Sequence, residues 1–374
     1  MVKKAVQRGR SERGTEAYFF RYVEVPSDAR TKLADFFNIL LGGGMARRPK
    51  QESRRSTSQG LGKDLLAISA ISPQTIARLL ESARKLKALR RKGARYRPLG
   101  GMTLGLLFEK PSTRTRVSFE TGMHQLGGHS LFLSLGDIQL SRGETVSDTA
   151  AVLSRYLDGL VVRTFDQAIV EDWGRAATIP VINGLTDLCH PCQALSDLLT
   201  IQERKGRLKG VKLAYVGDGN NVANSLIEAA AKTGMAISLG CPGDHRPDQG
   251  VLDQAREDAA RTGATIELTD QPQVAVKDAD VVYTDVWVSM GHEREQDHLL
   301  KVLAPYQLNE RLLKGAKPDA IVMHCLPAHR GQEITAGVLD GPQSVILDQA
   351  ENRLHMQKAI LVELLQPRTK GTRS

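Results

Sequence analysis

Residues 102–116 read Met-Thr-Leu-Gly-Leu-Leu-Phe-Glu-Lys-Pro-Ser-Thr-Arg-Thr-Arg, and this stretch decides the fold. Its first seven residues are a short apolar run, the pattern of a buried strand. A polar loop follows, then a helical pattern around residues 116–126. Similar strand-like runs recur at 130–134, 159–162, 179–182, 211–216, 236–239, 265–268, 281–284, 320–323 and 345–347. Helix-like stretches lie between most of them. Upstream, Ser72 before Pro73 offers a capping hydroxyl and a proline at the first helical position. Ile76, Leu79, Leu80, Ala83 and Leu86 then fall at helical spacing, with Gly93 as a stop. Residues 351–365 read as a terminal helix. Alternating β and α units predict an α/β fold whose parallel sheets are covered on both faces. The series is long for one sheet. The expectation is two domains, each a parallel β-sheet flanked by helices, joined by a bridging helix that begins near Pro191. The expected divisions are 1–60, 61–195, 196–345 and 346–374.

The chain has 374 residues, 41% of them hydrophobic and 25% charged. That composition excludes a disordered chain, a fibrous repeat and a multi-span membrane protein. The apolar run at 36–41 is far short of the ~20 residues that cross a bilayer. Four cysteines do not make a disulfide scaffold. The formal charge of +9 is unevenly spread: residues 1–60 hold 13 Lys+Arg against 6 Asp+Glu, and the remainder 38 against 36. The body therefore shows no basic excess of the kind nucleic-acid binding requires. Neither a nucleic-acid nor a membrane partner is expected. Residues 1–60, with Gly42-Gly43-Gly44, then Met45 and a basic polar stretch, read as a dispensable, disordered-like extension. They lack a secretory pattern and carry too many acids for an ordinary transit peptide. The expected location is cytoplasmic, with an organelle matrix as the alternative should residues 1–44 be a leader.

In open parallel sheets ligands collect at the carboxyl ends of strands, so the residues following each strand matter most. After 102–108, Ser112, Thr113, Arg114, Thr115 and Arg116 stand where a helix begins. Free N–H groups, the helix dipole, hydroxyls and arginine forks together make an anion site suited to phosphate. No GxxxxGK[ST] loop occurs. Arg163 ends the run at 159–162. Leu188-Cys189-His190-Pro191-Cys192-Gln193 follows 179–182 and puts His190 at a helix cap. Cys189 and Cys192 have CxxC spacing, but a zinc site would need two further ligands at a partner spacing. The preferred reading is that His190 and Gln193 face a ligand. Gly217-Asp218-Gly219-Asn220-Asn221-Val222 begins like a dinucleotide fingerprint, yet Val222 replaces its third glycine. A close backbone approach with two amides can equally hold a carboxylate. Asp285 follows the run at 281–284 and suits an ammonium group. His324-Cys325-Leu326-Pro327 follows 320–323.

Taken in order, these blocks, with Asp285-Val286-Trp287-Val288-Ser289-Met290-Gly291 and Glu351-Asn352-Arg353, make residues 63–366 resemble the aspartate/ornithine carbamoyltransferases. Residues 1–60 are not covered. The resemblance implies a carbamoyl-phosphate domain, an amino-acid domain, and a homotrimer or a multiple of trimers with active sites at subunit interfaces. It implies that Ser112, Thr113, Arg114 and Thr115 hold phosphate. Thr115, Arg163 and His190 would polarise the carbamoyl oxygen. Gln193, the Leu326 main chain and Arg353 would hold the carbamoyl nitrogen. Gln139 would be lent to a neighbouring subunit. Asn221, Asp285, Ser289 and Met290 would contact the amino acid, with Cys325 near the attacking amine. An aspartate acceptor would need cationic partners, so Asp285 and Cys325 fit ornithine better. The implied chemistry requires no metal or cofactor.

Overall fold

The Ser72 hydroxyl accepts the Thr75 N–H at 3.1 Å, and Pro73 opens the first helix. The computed structural model describes residues 61–134, 138–288 and 296–366. In chain order the strands and longer helices are α1 (Pro73–Arg91), β1 (Thr103–Phe108), α2 (Thr113–Gln125), β2 (His129–Ser134), α3 (Val146–Leu153), β3 (Gly159–Arg163), α4 (Gln167–Ala176), β4 (Val181–Leu185) and α5 (Pro191–Lys205). There follow β5 (Lys212–Val216), α6 (Asn221–Thr233), β6 (Ala236–Gly240), α7 (Gln249–Thr262), β7 (Thr265–Thr269), β8 (Val281–Thr284), α8 (Gln296–Leu303), β9 (Ile321–His324) and α9 (Ile346–Leu365).

The strands form two all-parallel sheets, ordered β2-β1-β3-β4 and β7-β6-β5-β8-β9. Inner strands β1, β3, β5 and β8 are buried along nearly their whole length, whereas edge strands β2 and β7 alternate with exposed positions. That contrast is why the inner strands read as continuous apolar runs. Each order reverses once, between β1 and β3 and between β5 and β8. Such reversals open crevices at the carboxyl ends of the strands. Helix α5 is buried all round from Pro191 to Ile201 and packs on β4, α1, α6 and α9, as a bridging helix must.

Two local readings are corrected. The run at 345–347 is not a strand: Ile346 opens α9, Ile346 being buried while Leu347 is 82% exposed. A short Val-Ile-Leu run cannot be told from a buried helical turn by periodicity. Its extended character survives only in a bridge of Ser344 to Val322, with the Val345 N–H donating to the Val322 carbonyl at 3.0 Å. Helix α2 begins at Thr113, three residues before the expected start, which moves Thr113, Arg114 and Thr115 from loop into its first turn.

Candidate active site

Ser112 caps α2, its hydroxyl accepting the Thr115 N–H at 3.2 Å. The remaining N–H groups of the first turn and the helix dipole point at the space beyond β1. Arg114 lines that space. Arg116 does not: it bonds Glu120 at 2.9 Å and lies 3.7 Å over the Phe132 ring. Residues two apart on a helix face different ways, so one arginine of the motif serves the site and the other the surface.

Two buried guanidiniums join Arg114. Arg163, ending β3, donates from Nε to the Lys110 carbonyl at 3.2 Å. Arg353, from α9, donates from Nη2 to the Thr115 hydroxyl at 2.7 Å, while its buried Nε has no partner among the described residues. No carboxylate oxygen among the described residues pairs with any of the three. Burial, then Arg353 and Arg114, push the Arg163 pKa down to about 10, so it stays charged at neutral pH. His190, the residue before α5, makes no side-chain cap bond, and its buried Nδ1 is also unpartnered. Burial and the three arginines hold its imidazole well below the usual histidine range, so the ring is neutral.

The opposite wall is acidic and sulfur-bearing. The Cys325 thiol donates to Asp285 Oδ1 at 2.9 Å, and Asn220 Nδ2 donates to Asp285 Oδ2 at 2.9 Å. Burial and the Asp285 charge push the thiol well above its usual range, so it remains a donor rather than a thiolate. Asn220 also caps α6, its Oδ1 accepting the Val222 and Ala223 N–H groups at 2.9 and 3.3 Å. Its neighbour Asn221 donates to the Thr186 carbonyl at 2.5 Å. Leu326 turns the chain at a left-handed φ of 58°, its N–H donating to His324 Nδ1 at 2.9 Å, while His324 Nε2 meets Glu333 Oε1 at 3.1 Å. Asp285, His324 and Cys325 are close enough to share a cation, but both His324 nitrogens and the thiol are already engaged with protein partners.

A single cavity of about 740 Å³ joins the two walls. Ser112, Thr113, Arg114, Thr115, Arg163, His190, Gln193, Asn221, Asp285, Cys325, Leu326 and Arg353 all line it. Gln139 is exposed in a short 3₁₀ turn (Gln139–Arg142) and does not line this cavity. Ser289 and Met290 lie outside the described residues, as do residues 1–60. Sequence reasoning passed over Lys110, Asp187, Asn220, His245 and Trp287, which also line the cavity. Asn220 was legible as a helix cap; Lys110, a buried cation tied to Asp187 and lying over the Phe165 ring, was not. The glycine reading is corrected: the Gly217 and Gly219 amides donate to the Gly240 and His245 carbonyls at 3.0 and 2.9 Å, so neither is free for a carboxylate. A Cβ on Gly219 would lie 2.4 Å from the Arg246–Pro247 backbone, which explains that glycine by loop packing. Cys189 and Cys192 are buried free thiols, both pushed up by burial, Cys192 to about 12. They have the environment of core residues.

A cleft between two parallel sheets, with a cationic wall facing an acidic one, defines an enzyme that transfers a group from an anionic donor to an amine. The chain belongs to the aspartate/ornithine carbamoyltransferase family: its carbamoyl-P binding domain model matches residues 63–203 and its Asp/Orn binding domain model residues 209–364. Ornithine carbamoyltransferase of Syntrophus aciditrophicus (strain SB) is 58% identical over 303 residues, 81% of this chain and 99% of that protein. The anabolic ornithine carbamoyltransferase of Pyrococcus furiosus is 53% identical over 300 residues, 80% of this chain and 95% of its own. A solved ornithine carbamoyltransferase from Pyrococcus furiosus superposes with a TM-score of 0.80 at 52% identity, covering 82% of this chain and 98% of that one. The anabolic enzyme of Campylobacter jejuni does so at 0.76 and 38%, covering 81% and 98%.

Proposed function

We propose that this chain is an ornithine carbamoyltransferase. It transfers the carbamoyl group of carbamoyl phosphate to the δ-amine of L-ornithine, giving L-citrulline and phosphate in arginine biosynthesis. One observation carries this reading. Arg114, Arg163 and Arg353 converge, without carboxylate partners among the described residues, on a helix N-terminus that shares a cavity with the Asp285–Cys325 pair. A phosphate dianion satisfies the first group and an amine the second.

In this reading Ser112, Thr113, Arg114 and Thr115 hold the phosphate, and Arg114 with the α2 N-terminus stabilises it as it leaves. Thr115, Arg163 and neutral His190 stabilise the oxyanion of the tetrahedral intermediate, a role for preorganised donors that is worth several kcal/mol. Gln193 and the Leu326 main-chain carbonyl accept from the carbamoyl NH₂, while Arg353, a donor only, reaches an oxygen of carbamoyl phosphate. Asn221, Asp285, Ser289 and Met290 contact ornithine, with Asp285 and Cys325 orienting the amine. An alkylammonium with a pKa of about 10 first releases a proton to solvent. The amine then attacks the carbamoyl carbon, and its second proton leaves with the phosphate. A second carboxylate on the acceptor would meet Asp285, which argues against aspartate.

The domain reading assigns 61–195 to carbamoyl phosphate and 196–345 to ornithine, with 346–374 closing the chain. Gln139, exposed and away from its own cavity, is suited to reach a neighbouring subunit of a homotrimer. All four cysteines are free thiols, in keeping with a reducing cytoplasm. Among the described residues no helix is long and apolar enough to cross a membrane. The test mixes purified protein with carbamoyl phosphate and ornithine, putrescine or aspartate, and follows carbamoylated product colorimetrically. Citrulline from ornithine alone is expected, and Arg114→Ala abolishes it. Comparable turnover of putrescine or aspartate would overturn the acceptor assignment.

A further inference from the structure

Behind the cavity, Gln193 is tied to three buried polar side chains, Asp197, Tyr283 and Gln349, that the reaction as described leaves unused. Gln193 and Asp197 stand one turn apart on α5, and Gln193 Nε2 donates to Asp197 Oδ1 at 2.9 Å. Gln349 Nε2 reaches the same oxygen at 2.8 Å, and the Tyr283 hydroxyl donates to Oδ2 at 3.1 Å. Gln349 Oε1 in turn accepts the His324 N–H at 2.9 Å. All four side chains are buried. An ionised carboxylate only accepts hydrogen bonds. It therefore turns the NH₂ of Gln193 toward itself and leaves Oε1 on the other side. That Oε1 is buried without a partner among the described residues, and Gln193 lines the cavity. The reverse amide orientation would set two acceptors against each other in the core.

We propose that Asp197 is a positioning residue that presents Gln193 as an acceptor only, and so makes the site select a carbamoyl group over an acyl group. A carbamoyl N–H₂ satisfies Oε1, whereas the methyl of an acyl phosphate leaves it buried and unpaired. This rests on the reading that Gln193 meets the carbamoyl nitrogen. Burial raises the Asp197 pKa to about 7, against the hydrogen bonds from Gln193, Gln349 and Tyr283 and the nearby Arg353. The carboxylate form thus depends on those donors being in place.

The experiment titrates the full chain calorimetrically at pH 8 with two stable phosphonates: phosphonoacetamide, which carries the amide, and 2-oxopropylphosphonate, which carries a methyl in place of the NH₂. The unmodified protein is expected to bind the amide at least about tenfold tighter, the scale of leaving a buried acceptor unpaired. Asp197→Ala should weaken the amide alone and bring the two dissociation constants together. Asp197→Asn, whose amide oxygen still accepts from Gln193, should restore the preference. A purely architectural role predicts that Asp197→Ala weakens both ligands alike, and that result overturns the proposal. So does an intact preference in Asp197→Ala, or Asp197→Asn behaving like Asp197→Ala. If Asp197→Ala does not fold, neutron diffraction of the unmodified deuterated protein decides: deuterium on Gln193 facing Asp197 supports the proposal, and facing the cavity overturns it. Equal binding of both phosphonates by the unmodified protein also overturns it, whereas the functional reading fails separately, if that protein makes no citrulline or turns over putrescine or aspartate comparably.

Discussion

Replacing Asp285 by asparagine removes one charge while keeping the shape of the acidic wall. Its two oxygens accept from Cys325 and Asn220, both at 2.9 Å. In Asp285→Asn the new NH₂ can turn to the cysteine, whose sulfur is able to accept, and leave its oxygen for Asn220. The internal cost is therefore small, and the loss falls on the amine of the acceptor. A hydrogen bond to a charged group contributes about 1.5–3 kcal/mol. At 1.4 kcal/mol per decade, that is about 10–150-fold in kcat/KM for ornithine. The assay follows citrulline formation against ornithine at saturating carbamoyl phosphate, with the Kd for phosphonoacetamide measured separately. The phosphonate Kd should not move, because the cationic wall lies on other elements. A fall of less than about threefold, or an equal loss of phosphonate affinity, would refute the division of labour between the two walls.

Three further outcomes follow from the same geometry. Asn220→Ala removes the α6 cap and one support of Asp285. It should cost about 1 kcal/mol, a drop of roughly 2–4 °C in melting temperature, and raise the KM for ornithine. His190 is held well below its unfolded pKa near 6.5, so the unfolded chain binds the extra proton and stability falls as pH drops below about 6.5. His190→Gln should remove up to about 1.4 kcal/mol per pH unit of that acid slope, as read by denaturant melts between pH 5 and 7. Cys325, kept protonated by burial and Asp285, should react slowly with iodoacetamide at pH 8, and Asp285→Asn should speed that reaction. No acceleration would mean that burial alone protects the thiol.

Sequence by itself determined the alternation of strands and helices and the chemistry at each strand end. These are local properties: an apolar run between turn residues, a capping hydroxyl such as Ser72, a proline such as Pro191 at a first helical position. It also carried the motif order that marks the family. Tertiary structure decided which of adjacent, chemically equal residues serve the site. Arg114 enters the cavity while Arg116 lies on Phe132; Asn220 and Asn221 both line the cavity, but Asn220 holds Asp285 whereas Asn221 is tied to the Thr186 carbonyl. Those choices depend on which side of a helical turn faces the other sheet. The two glycine amides were spent on the end of β6 and the loop after it, whose residues are distant in the chain, and residues 346–347 opened a helix that periodicity could not distinguish from a strand. The clearest case is Asp197: in the chain it is one more acid on a helix, and only burial beside Gln193, Tyr283 and Gln349, up to 152 residues away, ties it to the cavity-lining Gln193. Local pattern is written along the chain, but burial and hydrogen-bond partners belong to the packed whole.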